Sequence, residues 1–325
     1  MEQHLTKQKE KPTGTVRFLA AGGLILTAMI WGGSFVAMKT SMELVPPAWL
    51  LAIRFSLAAL LMGLLFHRAL LSAPKEVWKK GMILGCFLEL SYLFQTYGLQ
   101  FTTASKNAFI TTLYVVLVPL LLWGMTKKQP GTNQLAAAVL AVIGLALLSL
   151  EGDFSINLGD GLTLLCSLSF AVHMILIDRY TKDFSLVVLT TVQIGTAAAL
   201  SWCLAPVLDG GLSADFLTAD GFWTGMFYLV VLATMGGFLL QNLGQKYVSA
   251  NTSAILLSLE SVFGALFSVL LLHEKMTGRM IIGCGFLFAA VLLAEVKFEQ
   301  IVVYCRKTKR GQGVCQSSQS FRSEE

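Results

Sequence analysis

Apolar residues dominate the chain in long runs that short polar stretches separate. A helix needs about 20 consecutive apolar residues to cross a bilayer, and in lipid it satisfies its own backbone hydrogen bonds. The runs therefore predict an all-α membrane protein with ten transmembrane helices. These helices are predicted near 18–39, 47–66, 81–99, 105–125, 134–150, 160–178, 185–207, 222–243, 251–272 and 278–296.

One part of this pattern occurs twice, at 93–128 and again at 239–274. A constant offset aligns the two copies. Five helices per copy is an odd number, so the second copy enters the membrane upside down, as in the inverted repeats of secondary transporters. The matched pairs are Gln95 with Gln241, Gly98 with Gly244, Ala104 with Ala250, Ala108 with Ala254 and Leu113 with Leu259.

The duplication divides the chain into two inverted five-helix repeats, 18–150 and 160–296. Residues 1–17 form an N-terminal tail. Residues 297–325 are rich in Ser, Gln and Lys, a composition that favours a disordered tail without a packed core.

Composition agrees with this membrane class. Hydrophobic residues make up 55% of the chain and charged residues only 13%, whereas a soluble domain has about 25% charged residues. The formal charge of +5 does not indicate a nucleic-acid partner, because the basic residues cluster beside apolar segments, where the positive-inside rule explains them. Cysteine spacing predicts neither a metal site nor a disulfide frame, and no cofactor is expected.

Loop charges predict the orientation. Basic residues such as Lys79, Lys80, Lys127 and Lys128 fall in loops on one side, and acidic residues such as Asp153 fall on the other. Because basic loops remain in the cytoplasm, we expect a multi-pass protein of the cytoplasmic (inner) membrane with both termini in the cytoplasm.

Glu260 is a carboxylate in the middle of an apolar run. A charge at bilayer depth costs about 3 kcal/mol or more, so Glu260 is a candidate functional group. Its match in the first copy is Tyr114, which indicates that the polar groups of the two halves have diverged. The alternative is a protonated carboxyl that is hydrogen-bonded within the bundle.

Arg54 lies in a second apolar segment, and its match in the second half is Gln193. We expect its side chain to face the bundle and to find a partner. The alternative is a side chain that reaches the outer interface near Pro46.

Polar residues at helical spacing mark the inward faces of other helices. Glu89, Tyr92 and Gln95 follow one another on the third helix, and Asn107 and Tyr114 share a face of the fourth. Trp31 and His173 lie on the equivalent first and sixth helices, where His173 is either a structural histidine or a proton carrier. The candidate cavity-lining or solute-binding residues are Trp31, Arg54, Glu89, Tyr92, Gln95, Asn107, Tyr114, His173, Gln241 and Glu260.

Several of these segments together resemble the two repeats of the EamA family in the drug/metabolite transporter superfamily. They are WGGSFVAMK from Trp31, the intramembrane Arg54, GLQFTTASKNAFITTLYVVLVP from Gly98, and LESVFGALFSVLLLHEKMTGRMIIG from Leu259. The resemblance implies ten helices, a central cavity and the movement of small metabolites across a cytoplasmic membrane. Family members often have Glu-Pro where this chain has Glu260-Ser261, which leaves open whether the ninth helix is distorted here.

An enzyme is not expected. The chain has no G-x-x-x-x-G-K-[ST] loop for nucleotide phosphates, His273-Glu274 lacks the second histidine of a zinc protease motif, and Ser34 with His173 lacks the glycine pattern of an intramembrane serine protease. We therefore expect a secondary transporter, an exporter or exchanger, of a small metabolite such as an amino acid. The alternative is a non-transporting receptor or scaffold with the same fold. A proton is a candidate coupling ion, through Glu260 or Glu89, and the sequence leaves the solute, the direction of transport and the oligomeric state open.

Overall fold

A computed structural model describes residues 14–102, 104–149, 157–272 and 277–295. The predicted disordered tail at 297–325, most of the N-terminal tail and the predicted outer-loop residue Asp153 lie outside the described residues. The first half contains α1 (Gly14–Met42), α2 (Pro47–Leu65), the short α3 (His67–Leu71), α4 (Lys75–Phe101), α5 (Ala104–Thr112), α6 (Tyr114–Thr126) and α7 (Thr132–Ser149). The second half contains α8 (Leu158–Tyr180), α9 (Leu186–Leu208), a 3-10 turn (Asp215–Thr218), α10 (Phe222–Phe227), a π-helical segment (Tyr228–Gly236), α11 (Gly237–Tyr247), α12 (Ala250–Leu257), α13 (Glu260–Leu272) and α14 (Gly278–Glu295).

The described part of the chain is all-helical and contains no strand. Eight helical spans within it are long and apolar enough to cross a membrane. The other two helices predicted from the sequence are present as shorter apolar segments, Thr132–Leu147 and Gly278–Leu293. These two helices, α7 and α14, pack against each other.

Two helices begin earlier than their apolar runs predict, at Gly14 instead of 18 and at Lys75 instead of 81. The first turns of α4 are polar, and Lys80 Nζ lies 3.3 Å from Glu76 Oε1 one turn before it. Charged side chains on long stems can extend a helix beyond the hydrocarbon layer in this way.

Asp160 lies one turn inside α8 and is not its cap. The cap is Asn157, whose side chain accepts a hydrogen bond from the backbone N–H of Asp160. The Asp160 carboxylate accepts one in return from the backbone N–H of Asn157. This reciprocal arrangement is a capping box.

Two of the predicted spans are interrupted at matched positions. The first break, between α5 and α6, lies at Leu113, and the second, between α12 and α13, lies at Ser258 and Leu259. The second break occurs without a proline at position 261. Ser258 Oγ donates to the carbonyl oxygen of Ile255, and such a local bond competes with the regular helical pattern.

The same neighbour relations recur when the two halves are exchanged. Helix α4 packs against α8 and α9, whereas α11 packs against α1 and the π-helical segment packs against α2. The broken span α5–α6 packs against α8, and the broken span α12–α13 packs against α1. Helix α2 packs directly against α9.

Gly32 permits the close approach of α1 to α13. A Cβ at this position would lie 2.7 Å from the backbone nitrogen of Gly264 and 2.8 Å from the carbonyl oxygen of Glu260. The absence of a side chain at Gly32 therefore allows the backbone of Glu260 on α13 to lie in close contact with α1.

The first prediction compares Gly32→Ala with Gly22→Ala. The added methyl at residue 32 meets backbone atoms, which cannot rotate away, so we expect a loss of about 1 to 3 kcal/mol in stability. A Cβ at Gly22 meets nothing within 4 Å, and alanine there should be neutral or stabilising by about 0.5 to 1 kcal/mol. Thermal unfolding of both variants in detergent measures the difference, and equal midpoints would show that the contact is not tight.

Candidate functional site

A cavity lies in the middle of the bundle, and the empty space of about 380 Å³ within it includes open solvent at its mouth. Its walls come from both halves of the chain and combine aromatic rings, two amides and a carboxylate. The lining residues are Trp31, Ser34, Phe35, Tyr92, Gln95, Tyr114, Phe170, Met174, Gln241, Leu257 and Glu260.

Six of the residues predicted from the sequence are among them: Trp31, Tyr92, Gln95, Tyr114, Gln241 and Glu260. The other four candidates, Arg54, Glu89, Asn107 and His173, are buried close to this region but do not line the cavity.

Glu260 is the carboxylate of the cavity. It is only 5% exposed, and its Oε1 accepts a hydrogen bond from the hydroxyl of Tyr114 at 3.2 Å. The break before α13 makes Glu260 the first residue of that helix, where the positive end of the helix dipole favours a negative charge. Among the described residues, no lysine or arginine nitrogen lies within 4.0 Å of its oxygens.

Arg54 is fully buried and faces the bundle, as the sequence predicts, so the alternative at the outer interface is wrong. Its Nε donates to Thr234 Oγ1 at 2.7 Å, and its guanidinium carbon lies 4.8 Å from the centre of the Tyr92 ring. It also contacts Met38 and the Tyr92 hydroxyl at 3.5 Å. Arg54 therefore contacts Tyr92, which lines the cavity, but is not itself a lining residue.

Glu89 faces a neighbouring helix instead of the cavity, which corrects the prediction from spacing. It is 2% exposed, and one of its oxygens accepts a hydrogen bond from Ser201 Oγ on α9 at 2.7 Å. Glu89, Tyr92 and Gln95 are three residues apart, and three residues are less than a full helical turn of 3.6 residues. Over the two intervals from Glu89 to Gln95 this difference adds up, so Gln95 faces the cavity while Glu89 faces α9.

Asn107 supports the cavity wall from behind, so its prediction as a lining residue also needs correction. Its amide nitrogen donates to the carbonyl oxygen of Gln95 at 3.1 Å and to Thr163 Oγ1 at 2.9 Å. The Gln95 amide donates to Thr111 Oγ1 at 3.3 Å. These bonds join α4, α5 and α8, and they use up the donors of Asn107 in holding the wall.

His173 lies one layer outside the cavity, against the prediction. One of its ring nitrogens is 3.0 Å from Gln193 Oε1, the residue that matches Arg54. Its ring packs edge-on against Phe170 and Phe238. These contacts are those of a hydrogen-bonded histidine within the bundle, and a role as a proton carrier remains a prediction.

The candidate list from the sequence lacks five of the lining residues: Ser34, Phe35, Phe170, Met174 and Leu257. Phe35 follows Trp31 by four residues, and Met174 follows Phe170 by the same interval. Side chains four apart share a helix face, so this spacing could have identified both. Ser34 gives no such signal, because its hydroxyl bonds to the backbone of its own helix.

Matched positions of the two halves meet at this cavity. Tyr114 and Glu260 share a hydrogen bond, and Gln95 and Gln241 line the same space. A third pair with the same offset, Tyr92 and Phe238, packs with ring centres 6.1 Å apart.

Comparison with known proteins places this architecture in a family. The model of the EamA-like transporter family matches residues 18–150 and again 157–295. A protein of Archaeoglobus fulgidus named "Uncharacterized transporter" is 31% identical over 291 residues, which cover 90% of each chain. A protein of Escherichia coli (strain K12) named "Probable amino-acid metabolite efflux pump" is 25% identical, with 80% of this chain and 89% of that protein covered.

Among solved structures, one described as the crystal structure of a protein matches with a TM-score of 0.70 at 19% identity. The match covers 85% of this chain and 96% of the other, and it shows a common fold. Because the family model matches two long segments that together span most of the residues, this multi-pass membrane protein belongs to the EamA-like transporter family.

Proposed function

We propose that this protein is a secondary transporter that moves a small metabolite across the cytoplasmic membrane by alternating access around the central cavity. The observation that carries the proposal is the meeting of matched residues from both halves at one buried, partly polar cavity. A site between two repeats at the bilayer midplane can be exposed to either side when one repeat tilts against the other.

The proposal includes ten membrane-crossing helices in two inverted repeats, with α7 and α14 as the fifth and tenth. Three observations support it: the neighbour relations recur when the halves are exchanged, two spans break at matched positions, and the short helices α7 and α14 pack on each other. The distribution of loop charges supports termini in the cytoplasm.

An amino acid or a related compound is the proposed solute class, and export or exchange the proposed direction. The name of the relative from Escherichia coli supports this choice. The amides of Gln95 and Gln241 in the cavity wall can bond to neutral polar groups of such a solute, and the aromatic rings can cover its apolar part.

The second prediction concerns these two amides. The side-chain oxygen of Gln241 is buried and has no hydrogen-bond partner among the described residues, so it is free for a solute. Gln241→Ala and Gln95→Ala should each weaken apparent solute affinity by about 3- to 10-fold, the usual effect of one lost hydrogen bond. Uptake of radiolabelled amino acids into proteoliposomes measures this.

Gln245→Ala is the matched control for that experiment. Gln245 lies one turn beyond Gln241, is equally buried, and bonds to the carbonyl oxygen of Met174 at 3.2 Å without lining the cavity. The Gln245→Ala substitution should lower the amount of folded protein more than it lowers the solute affinity of the protein that still folds. Unchanged affinity in both cavity variants would contradict the proposed site.

The third prediction concerns coupling to protons. We propose that Glu260, the carboxylate in the cavity wall, takes up and releases a proton during the cycle. Glu260→Gln keeps the shape of the side chain but removes its titration, so flux should fall and lose its dependence on pH. A neutral amide is easier to bury than a charge, so the variant should still fold. Among the described residues, the other titratable groups that interact with Glu260 are Tyr92, Tyr114 and Cys166.

Flux against pH in proteoliposomes distinguishes this role from a structural one. The control is Glu89→Gln, which removes a buried carboxylate outside the cavity and should leave the pH profile unchanged. A normal rate and profile for Glu260→Gln would contradict proton coupling at this residue.

A further inference from the structure

The charges around the cavity are one-sided. Glu260 is an acid in its wall, and none of the lining residues is a lysine, an arginine or a histidine. A carboxyl group has room for several hydrogen bonds, and among the described residues Glu260 accepts one, from the neutral hydroxyl of Tyr114. Within the described residues, the cavity thus offers an acidic group without a cationic partner.

Aromatic rings form much of the remaining wall. Trp31, Phe35, Tyr92, Tyr114 and Phe170 all line the cavity. The Trp31 ring is held in place, because its Nε1 donates to the carbonyl oxygen of Ala233 at 2.9 Å. The faces of aromatic rings attract cations, and tryptophan attracts them most strongly. A carboxylate among aromatic rings is a suitable site for a positively charged nitrogen.

The buried cation Arg54 is committed elsewhere. Its guanidinium bonds to Thr234 and lies over the ring of Tyr92, and Arg54 is fully buried and is not one of the lining residues. The lining residues therefore include an acidic partner for an ammonium group and no cationic partner for a carboxylate.

From this arrangement we infer that the solute is an organic cation, such as a primary amine with an apolar or aromatic body, and that it carries no free carboxylate. The cationic nitrogen lies against Glu260, and the body packs on the aromatic walls. This inference rests on the proposed transport function, and within the proposed class of amino acids and related compounds it selects amines that lack a carboxylate.

Three probes with one ring and different charges test the inference: phenethylamine, phenylalanine and 3-phenylpropionate. Binding of each to the purified full-length protein in detergent at neutral pH is measured by calorimetry. We expect phenethylamine to bind at least about 10-fold more tightly than phenylalanine, because the carboxylate of phenylalanine would be buried beside Glu260 without a cationic partner. 3-Phenylpropionate should bind most weakly. Equal or tighter binding of phenylalanine or 3-phenylpropionate would overturn the inference.

Variants locate the effect. Glu260→Gln should weaken phenethylamine binding by about 10-fold or more and remove the preference over phenylalanine. Glu76→Gln makes the same chemical change at an exposed position on α4 beside Lys80, and it should change nothing. Phe170→Leu keeps the carboxylate but removes one ring, and it should weaken phenethylamine binding about 3-fold. Unchanged phenethylamine binding in Glu260→Gln would overturn the inference. If Glu260→Gln does not fold, Phe170→Leu decides, and unchanged binding in that variant would overturn the inference.

Counterflow in proteoliposomes separates this inference from the proposed function. Saturable flux of phenylalanine without flux of phenethylamine would leave the transporter in place and overturn the amine class. Tight binding of phenethylamine with no flux of any probe would support the site and contradict transport.

Discussion

The hydrogen bond between Tyr114 and Glu260 joins the two halves of the protein inside two long apolar spans, where a charge is costly. A carboxylate at bilayer depth persists only with hydrogen bonds, a positive partner or a proton. The protein supplies a hydroxyl from the first half and the N-terminus of α13 in the second. Its described residues place no lysine or arginine nitrogen within 4.0 Å of this carboxyl group, so a further hydrogen bond or a positive charge can come from a solute that enters the cavity. This requirement links the structure to the proposed transport.

The interrupted spans place these two groups opposite each other. Each break ends one helix and starts the next directly at the cavity, with Tyr114 first in α6 and Glu260 first in α13. Gly32 lets α1 approach α13 at this level, and Asn107 fixes the opposite wall through Gln95 and Thr163. The cavity is therefore held by backbone contacts on one side and by a hydrogen-bond network on the other.

Much of this arrangement could be predicted because a bilayer permits few structures. Long apolar runs located the helices to within a few residues, and polar residues inside those runs had to face protein. The offset between the repeats also identified Gln95, Gln241, Tyr114 and Glu260, which all line the cavity. The same pattern could not separate the cavity wall from the layer behind it. The rotation of Glu89 toward Ser201 depends on where α9 lies, and that is a property of the packed bundle.

In the proposed transport cycle, one cavity between the two halves opens to each side of the membrane in turn. Gln95 lies six residues before the predicted outer end of α4, and Gln241 lies six residues before the predicted inner end of α11. Single cysteines at these positions, in a chain whose six native cysteines are replaced by serine, can be labelled with an impermeant maleimide from either side of sealed vesicles. We expect Gln95→Cys to react with the maleimide from outside and Gln241→Cys to react from the cytoplasmic side. A transported solute should raise the labelling rate of one cysteine and lower that of the other. Labelling of both cysteines from one side only, at rates that no solute changes, would contradict this cycle.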